Sequence, residues 1–151
     1  MRTTPVAALA EAQKLCDRAG ERLTPARRNA YAELLAQDRP VSAYELLALL
    51  ERRECRKLAP LTVYRALDFL TRVGLVHKIE SRHTFVACKH PQDPHQGLYL
   101  VCSSCGRADE VDTDSVGVAV NRAARARGFT PERQIVEVQG RCVDCMQVHE
   151  R

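Results

Sequence analysis

Pro60-Leu61-Thr62-Val63-Tyr64-Arg65-Ala66-Leu67-Asp68-Phe69-Leu70-Thr71-Arg72-Val73-Gly74-Leu75-Val76-His77-Lys78-Ile79 is the stretch in which the apolar period of the chain changes. Up to Arg72, Val63, Leu67 and Leu70 recur three and four residues apart, which predicts a helix with one apolar face. Pro60 suits its first turn and Gly74 its C-terminal cap. Beyond Gly74 the spacing becomes that of strands. Residues 76–79 and 84–88 read as two short strands joined by the polar turn Glu80-Ser81-Arg82-His83.

Upstream of this stretch the pattern is helical. Val6, Leu9, Ala12, Leu15, Cys16 and Ala19 keep helical spacing up to Gly20. Thr24-Pro25 opens a second helix as N-cap and first-turn proline, and Ser42-Ala43-Tyr44-Glu45 has the form of a capping box opening a third. Three or four helices followed by a small hairpin predict a winged helix-turn-helix. Lys89-His90-Pro91-Gln92-Asp93-Pro94 follows with two prolines and almost no apolar content, which marks a linker. Downstream, strands at 98–101 and 108–111, a helix at 115–127 and a strand at 134–138 predict a small α/β domain. The expected class is therefore α+β, with a domain at 1–88, a hinge at 89–96 and a second domain at 97–151.

Composition narrows the function. Among 151 residues, 45% are apolar and 28% charged, which is ordinary globular usage. No apolar run approaches the roughly 18 residues of a membrane span. Met1-Arg2-Thr3-Thr4-Pro5 has no apolar segment of the kind that opens a secretory signal, so a cytoplasmic protein with reduced cysteines is expected. The net charge of +4 falls entirely within residues 1–80, and five of the seven cysteines lie beyond residue 80. A basic half and a sulfur-rich half suggest a division of labour.

Cys102-Ser103-Ser104-Cys105 and Cys142-Val143-Asp144-Cys145 are two CxxC pairs. Two residues between cysteines make a tight turn that aims both sulfurs at one ion, and two such turns complete a four-thiolate zinc site. Each pair follows an expected strand, so the metal would tie the ends of a small sheet together. A redox pair is the first competitor, but that motif normally opens a helix after a strand, and two copies in one small domain favour metal. A zinc deaminase would need an HxE triplet, and the chain has none. Simple burial of four thiols in this arrangement is the third. An enzyme would need an open coordination position or a free low-pKa thiol. A closed four-cysteine site offers neither, and no catalytic residue is assigned.

His77, Cys88, His95 and Glu110 form a looser second group. A single histidine on a strand is commonly structural. Placement makes the group notable: two members fall on the hairpin strands, one in the linker and one on a strand of the second domain. Such donors would close a tetrahedral site at the joint. Thiolate, imidazole and carboxylate suit zinc, whereas iron(II) or manganese favours sites richer in oxygen. For nucleic acid, Arg65 is suited to guanine and Tyr64 to a thymine methyl, with Arg27 as a further basic contact.

Together these motifs resemble the ferric uptake regulator family. The resemblance is carried by Leu23-Thr24-Pro25-Ala26-Arg27, Thr62-Val63-Tyr64-Arg65-Ala66-Leu67, Gly74-Leu75-Val76-His77, Cys102-x-x-Cys105-Gly106 and Gly140-x-Cys142-x-x-Cys145, in order across roughly residues 10–148. Within the family, Val63 to Leu70 and Val76 to Ser81 are similar to the zinc uptake regulator branch. The resemblance implies a homodimeric, metal-dependent repressor of zinc-uptake genes that binds a palindromic double-stranded DNA operator. It implies two Zn²⁺ per chain, a structural one on Cys102, Cys105, Cys142 and Cys145 and a regulatory one on His77, Cys88, His95 and Glu110, with His90 as the substitute for His95. An iron, manganese or peroxide sensor is the sibling alternative, against which Cys88 argues.

Overall fold

The computed structural model describes residues 4–92, 97–111, 114–132 and 134–148. The chain divides into two compact units, Met1–Gln92 and Asp93–Arg151.

The first unit begins with α1 (Pro5–Arg18) and α2 (Pro25–Ala36). Both open on a threonine whose hydroxyl accepts a backbone N–H, Thr4 from Ala7 and Thr24 from Arg27, each with proline in the first turn. Next come β1 (Val41–Ser42) and α3 (Ala43–Glu54). The expected capping box is present: Glu45 N–H donates to Ser42 Oγ at 3.1 Å, and Ser42 N–H donates to Glu45 Oε2 at 2.8 Å. That second bond, with Arg39 beside it, holds the Glu45 carboxyl below its usual range. Then follow α4 (Pro60–Arg72), β2 (Val76–Ile79) and β3 (Thr84–Ala87). Gly74 turns the chain from α4 into β2 at φ +82, a left-handed conformation that a side chain would strain.

The sheet of this unit is antiparallel in the order β1-β3-β2, with Val41 opposite Phe85 and His77 opposite Val86. The strand β1 has no counterpart among the sequence-based expectations, because two residues are too short to show a period. The second hairpin strand ends one residue earlier than expected. Cys88 still carries the ladder onward, its N–H donating to Leu75 O at 2.9 Å. Beneath the sheet, Ala12, Cys16, Ala30, Tyr31, Leu34, Leu46, Leu50, Val63, Leu67, Leu70, Leu75 and Val76 form one buried cluster. Three helices closed by a hairpin, with a further helix packed in front, make this a winged helix-turn-helix.

The second unit comprises β4 (Gly97–Cys102), β5 (Ala108–Glu110), α5 (Asp114–Arg125), β6 (Ile135–Gly140) and α6 (Val143–Gln147). Its sheet runs β5-β4-β6, with β5 antiparallel and β6 parallel to β4. Parallel neighbours need a crossover, which α5 supplies. The helix ends two residues short of expectation, and Gly128, at φ +72, follows as a stop. The short α6 was not expected; five residues leave little periodic signal. Among the described residues, no helix is long and apolar enough to cross a membrane.

Candidate metal centre and nucleic-acid interface

Parallel pairing brings the four clamp cysteines together. Because β4 and β6 run the same way, both leave the sheet at one end, with Cys102 directly opposite Gly140. The first CxxC turn begins on the last residue of β4, and the second begins two residues past β6. Ser103 joins them, its N–H and hydroxyl reaching Gly140 O at 2.8 and 3.0 Å. Gly106, at φ +76, lets the first turn fold back, its N–H donating to Cys102 O at 2.9 Å.

The donor atoms of Cys102, Cys105, Cys142 and Cys145 all lie within 4.8 Å of one another, with Cys105 and Cys142 Sγ 3.9 Å apart. A tetrahedral ion with Zn–S bonds of about 2.3 Å would place its sulfurs roughly 3.8 Å apart, so the four thiols fit zinc with little movement. The electrostatics agree. Backbone N–H groups of Cys105 and Cys142 hold the Cys102 thiol down at about 6, the latter donating at 3.4 Å. Contact with the sulfurs of Cys142 and Cys105 pushes Cys145 up to about 12. Four thiols this close cannot all ionise without a cation among them. Arg107 supplies positive charge at the rim, pairing with Asp109 and reaching Asp144, inside the second CxxC, at 3.4 Å.

A redox CxxC opens a helix after a strand, and here the second pair does the same: Cys142 is the N-cap of α6, which follows β6, so that feature does not exclude redox chemistry. What separates the two chemistries is instead the convergence of four sulfurs. Cys16 is fully buried, its thiol raised by burial, and Cys55 is exposed on a left-handed residue at the end of α3.

The members of the second group are placed as follows. His77 lies on β2 and Cys88 directly after β3, and their donor atoms come within 4.8 Å of each other. Cys88 is 4% exposed. Behind it, the buried Tyr31 hydroxyl is pushed up to about 12, first by burial and then by the field of Cys88. Glu110 closes β5 of the second unit. His95 lies outside the described residues, and His90 is exposed at the end of the first unit.

Two faces of α4 do different work. Val63, Ala66, Leu67, Phe69 and Leu70 are buried, whereas Leu61, Tyr64, Arg65 and Asp68 are exposed. Tyr64 at 53% exposure is not a core residue. Arg27 is held more firmly: its guanidinium lies 3.7 Å from the Phe69 ring centroid and donates to Arg22 O at 2.6 Å. It therefore braces α2 against α4. Sequence reasoning passed over Tyr44, which stands 80% exposed in the first turn of α3.

Comparison with known proteins agrees with this architecture. The ferric uptake regulator family model matches residues 18–139. The zinc uptake regulation protein of Escherichia coli (strain K12) is 37% identical over 148 residues, spanning 97% of this chain and 86% of that protein. The ferric uptake regulation protein of Synechocystis sp. is 29% identical over 80% of this chain and 72% of that protein. Among solved structures, a zinc uptake regulator complexed with zinc and DNA superimposes with a TM-score of 0.90 at 37% identity, covering 99% of both chains. The crystal structure of holo XcZur gives 0.80 at 41% identity, covering 92% of this chain and 96% of that one. With a family match over most of its length, this chain belongs to the ferric uptake regulator family.

Proposed function

We propose that this protein is a zinc-responsive transcriptional repressor, a cytoplasmic homodimer that binds palindromic operators of zinc-uptake genes when zinc-loaded and releases them when regulatory zinc is lost. The observation that carries this reading is the end-to-end likeness, at 37% identity, to a zinc uptake regulator that was solved with zinc and DNA. The chain is a regulator and not an enzyme. Its four clamp thiols form a closed donor set, with no position left for a substrate.

Two zinc ions per chain are part of the proposal. Cys102, Cys105, Cys142 and Cys145 hold the structural one. His77, Cys88, His95 and Glu110 hold the regulatory one, with donors drawn from both sides of residues 89–96. Two neutral imidazoles, one thiolate and one carboxylate neutralise a dication, which makes a buried site affordable. Bound there, zinc supplies a tetrahedral link between ligands distant in sequence. Zinc loading of that site favours the operator-binding state of the protein over the state that releases the operator. A population change from 1:99 to 99:1 needs about 5.5 kcal/mol of differential binding, within reach of zinc-site energies of roughly 10–16 kcal/mol. The first unit reads the major groove through Tyr64 and Arg65, and Arg27, seated on the Phe69 ring, is a further basic contact on the duplex.

The decisive experiment titrates operator binding against buffered free zinc, iron(II) and manganese(II). Half-maximal binding at the lowest free concentration with zinc, abolished by His77→Ala or Cys88→Ala, is expected. An iron-selective response, or undiminished binding by both variants, would overturn the assignment.

A further inference from the structure

Base reading by α4 as described so far uses an aromatic ring and a guanidinium, yet a third exposed side chain shares their face. Leu61 lies in the first turn of α4 and is 56% exposed, while five other apolar residues of the same helix are buried. It precedes Tyr64 by three residues and Arg65 by four, so the three side chains neighbour one another on the surface. A leucine held in water there contributes nothing to the core of its unit. We propose that Leu61 is a specificity-determining residue that reads the C5-methyl group of a thymine in the operator. This rests on the repressor reading above.

The chemistry selects the target. Leucine has neither donor nor acceptor, so it can recognise neither a phosphate nor the hydrogen-bonding edge of a base. The apolar feature of the major groove is the thymine methyl, which cytosine lacks. Double-stranded DNA is the occupant that the surroundings favour. The residue shares its face with the cationic Arg65, and the net charge of +4 lies entirely in residues 1–80, opposite in sign to the phosphate backbone. Distance gives a register. Four residues of helix rise by about 6 Å, and base pairs stack about 3.4 Å apart. The thymine therefore lies within about two steps of the guanine contacted by Arg65. Burying one methyl against Leu61 discriminates by about fourfold per half-site, and about fifteenfold over a twofold-symmetric operator.

The test uses full-length zinc-loaded protein and a palindromic duplex selected with it from a random-sequence pool. Each thymine is replaced singly by uracil in both half-sites, which removes only the methyl. Wild type should lose about fifteenfold at the symmetric position read by Leu61, Leu61→Ala should lose no further affinity there while keeping the penalty at any thymine read by Tyr64, and Leu61→Met should retain both. Circular dichroism melts equal to wild type would show that the exposed site tolerates both changes. A uracil profile unchanged by Leu61→Ala would overturn this assignment while leaving the repressor reading intact. Failure of zinc-loaded wild type to select any sequence would overturn both.

Discussion

Cys102 and Cys145 carry the same side chain in opposite electrostatic settings. Amide N–H groups from the two turns stabilise the thiolate of Cys102, whereas neighbouring sulfurs keep the proton on Cys145. Zinc must displace that proton, so proton and metal compete for Cys145 throughout the neutral range. Affinity of the clamp for zinc should therefore fall at least tenfold for each unit of pH decrease, and more steeply below about pH 6, where Cys102 also becomes protonated. Chelator competition at pH 8, 7 and 5.5 measures it; a flat profile would contradict the thiolate site. On the DNA side, Arg65→Ala should weaken operator binding by about 1–3 kcal/mol, or roughly 5- to 150-fold, without changing the thermal melt. Fluorescence anisotropy paired with a melt separates a lost base contact from a lost fold. The sequence identified these residues by type and spacing. It was silent on exposure, the property that separates the exposed Tyr64 from Tyr31 in the core.

At the scale of elements, α4 joins the core to the exposed face that carries Leu61, Tyr64 and Arg65. Phe69 is 3% exposed and carries Arg27 at 3.7 Å and Arg72 at 5.3 Å from its ring centroid. Phe69→Ala should cost about 3–5 kcal/mol and release both guanidinium groups, visible as a lower melting temperature with operator affinity reduced in parallel. Ser42 serves two elements, closing the box of α3 and pairing with Thr84 as part of β1. Ser42→Ala should cost about 0.5–2 kcal/mol through the lost cap. A cost near zero would mean that the strand pairing alone secures the helix start. The helices of the first unit were legible because each has a sequence-local opening: Thr4-Pro5, Thr24-Pro25, Ser42 with Glu45, and Pro60. The strand β1 and the helix α6 were not, since neither is long enough for a period to show.

For the whole molecule, each unit organises a different chemistry. In the second, Leu100 and Val138 are paired across β4 and β6 yet remain 46% and 49% exposed, and Val118 on α5 is 54% exposed. Apolar surface left uncovered on a sheet face and a helix fits the homodimer of the proposed repressor. Leu100→Asp combined with Val138→Asp should shift the protein toward monomer by light scattering and lower operator affinity through the lost second half-site. A dimer unaffected by both changes would place the interface elsewhere. Loss of a clamp ligand acts on the same unit. With the proposed structural zinc on these four thiols, Cys142→Ser should reduce zinc by one per chain in elemental analysis and lower the melting temperature, because the ion that would join the two CxxC turns is lost.

By itself the sequence determined the four helices and the β2–β3 hairpin of the first unit, the two CxxC turns and the family they announce. All of these rest on local spacing: the helical period, capping residues, and two residues between thiols. Tertiary structure alone decided that β6 pairs parallel to β4 with Cys102 opposite Gly140, and so that thiols nearly forty residues apart meet. It also decided that Arg27 stacks on Phe69 while Leu61, Tyr64 and Arg65 face outward. Those are matters of register and burial, which depend on contacts between residues far apart in the chain. No local pattern encodes them.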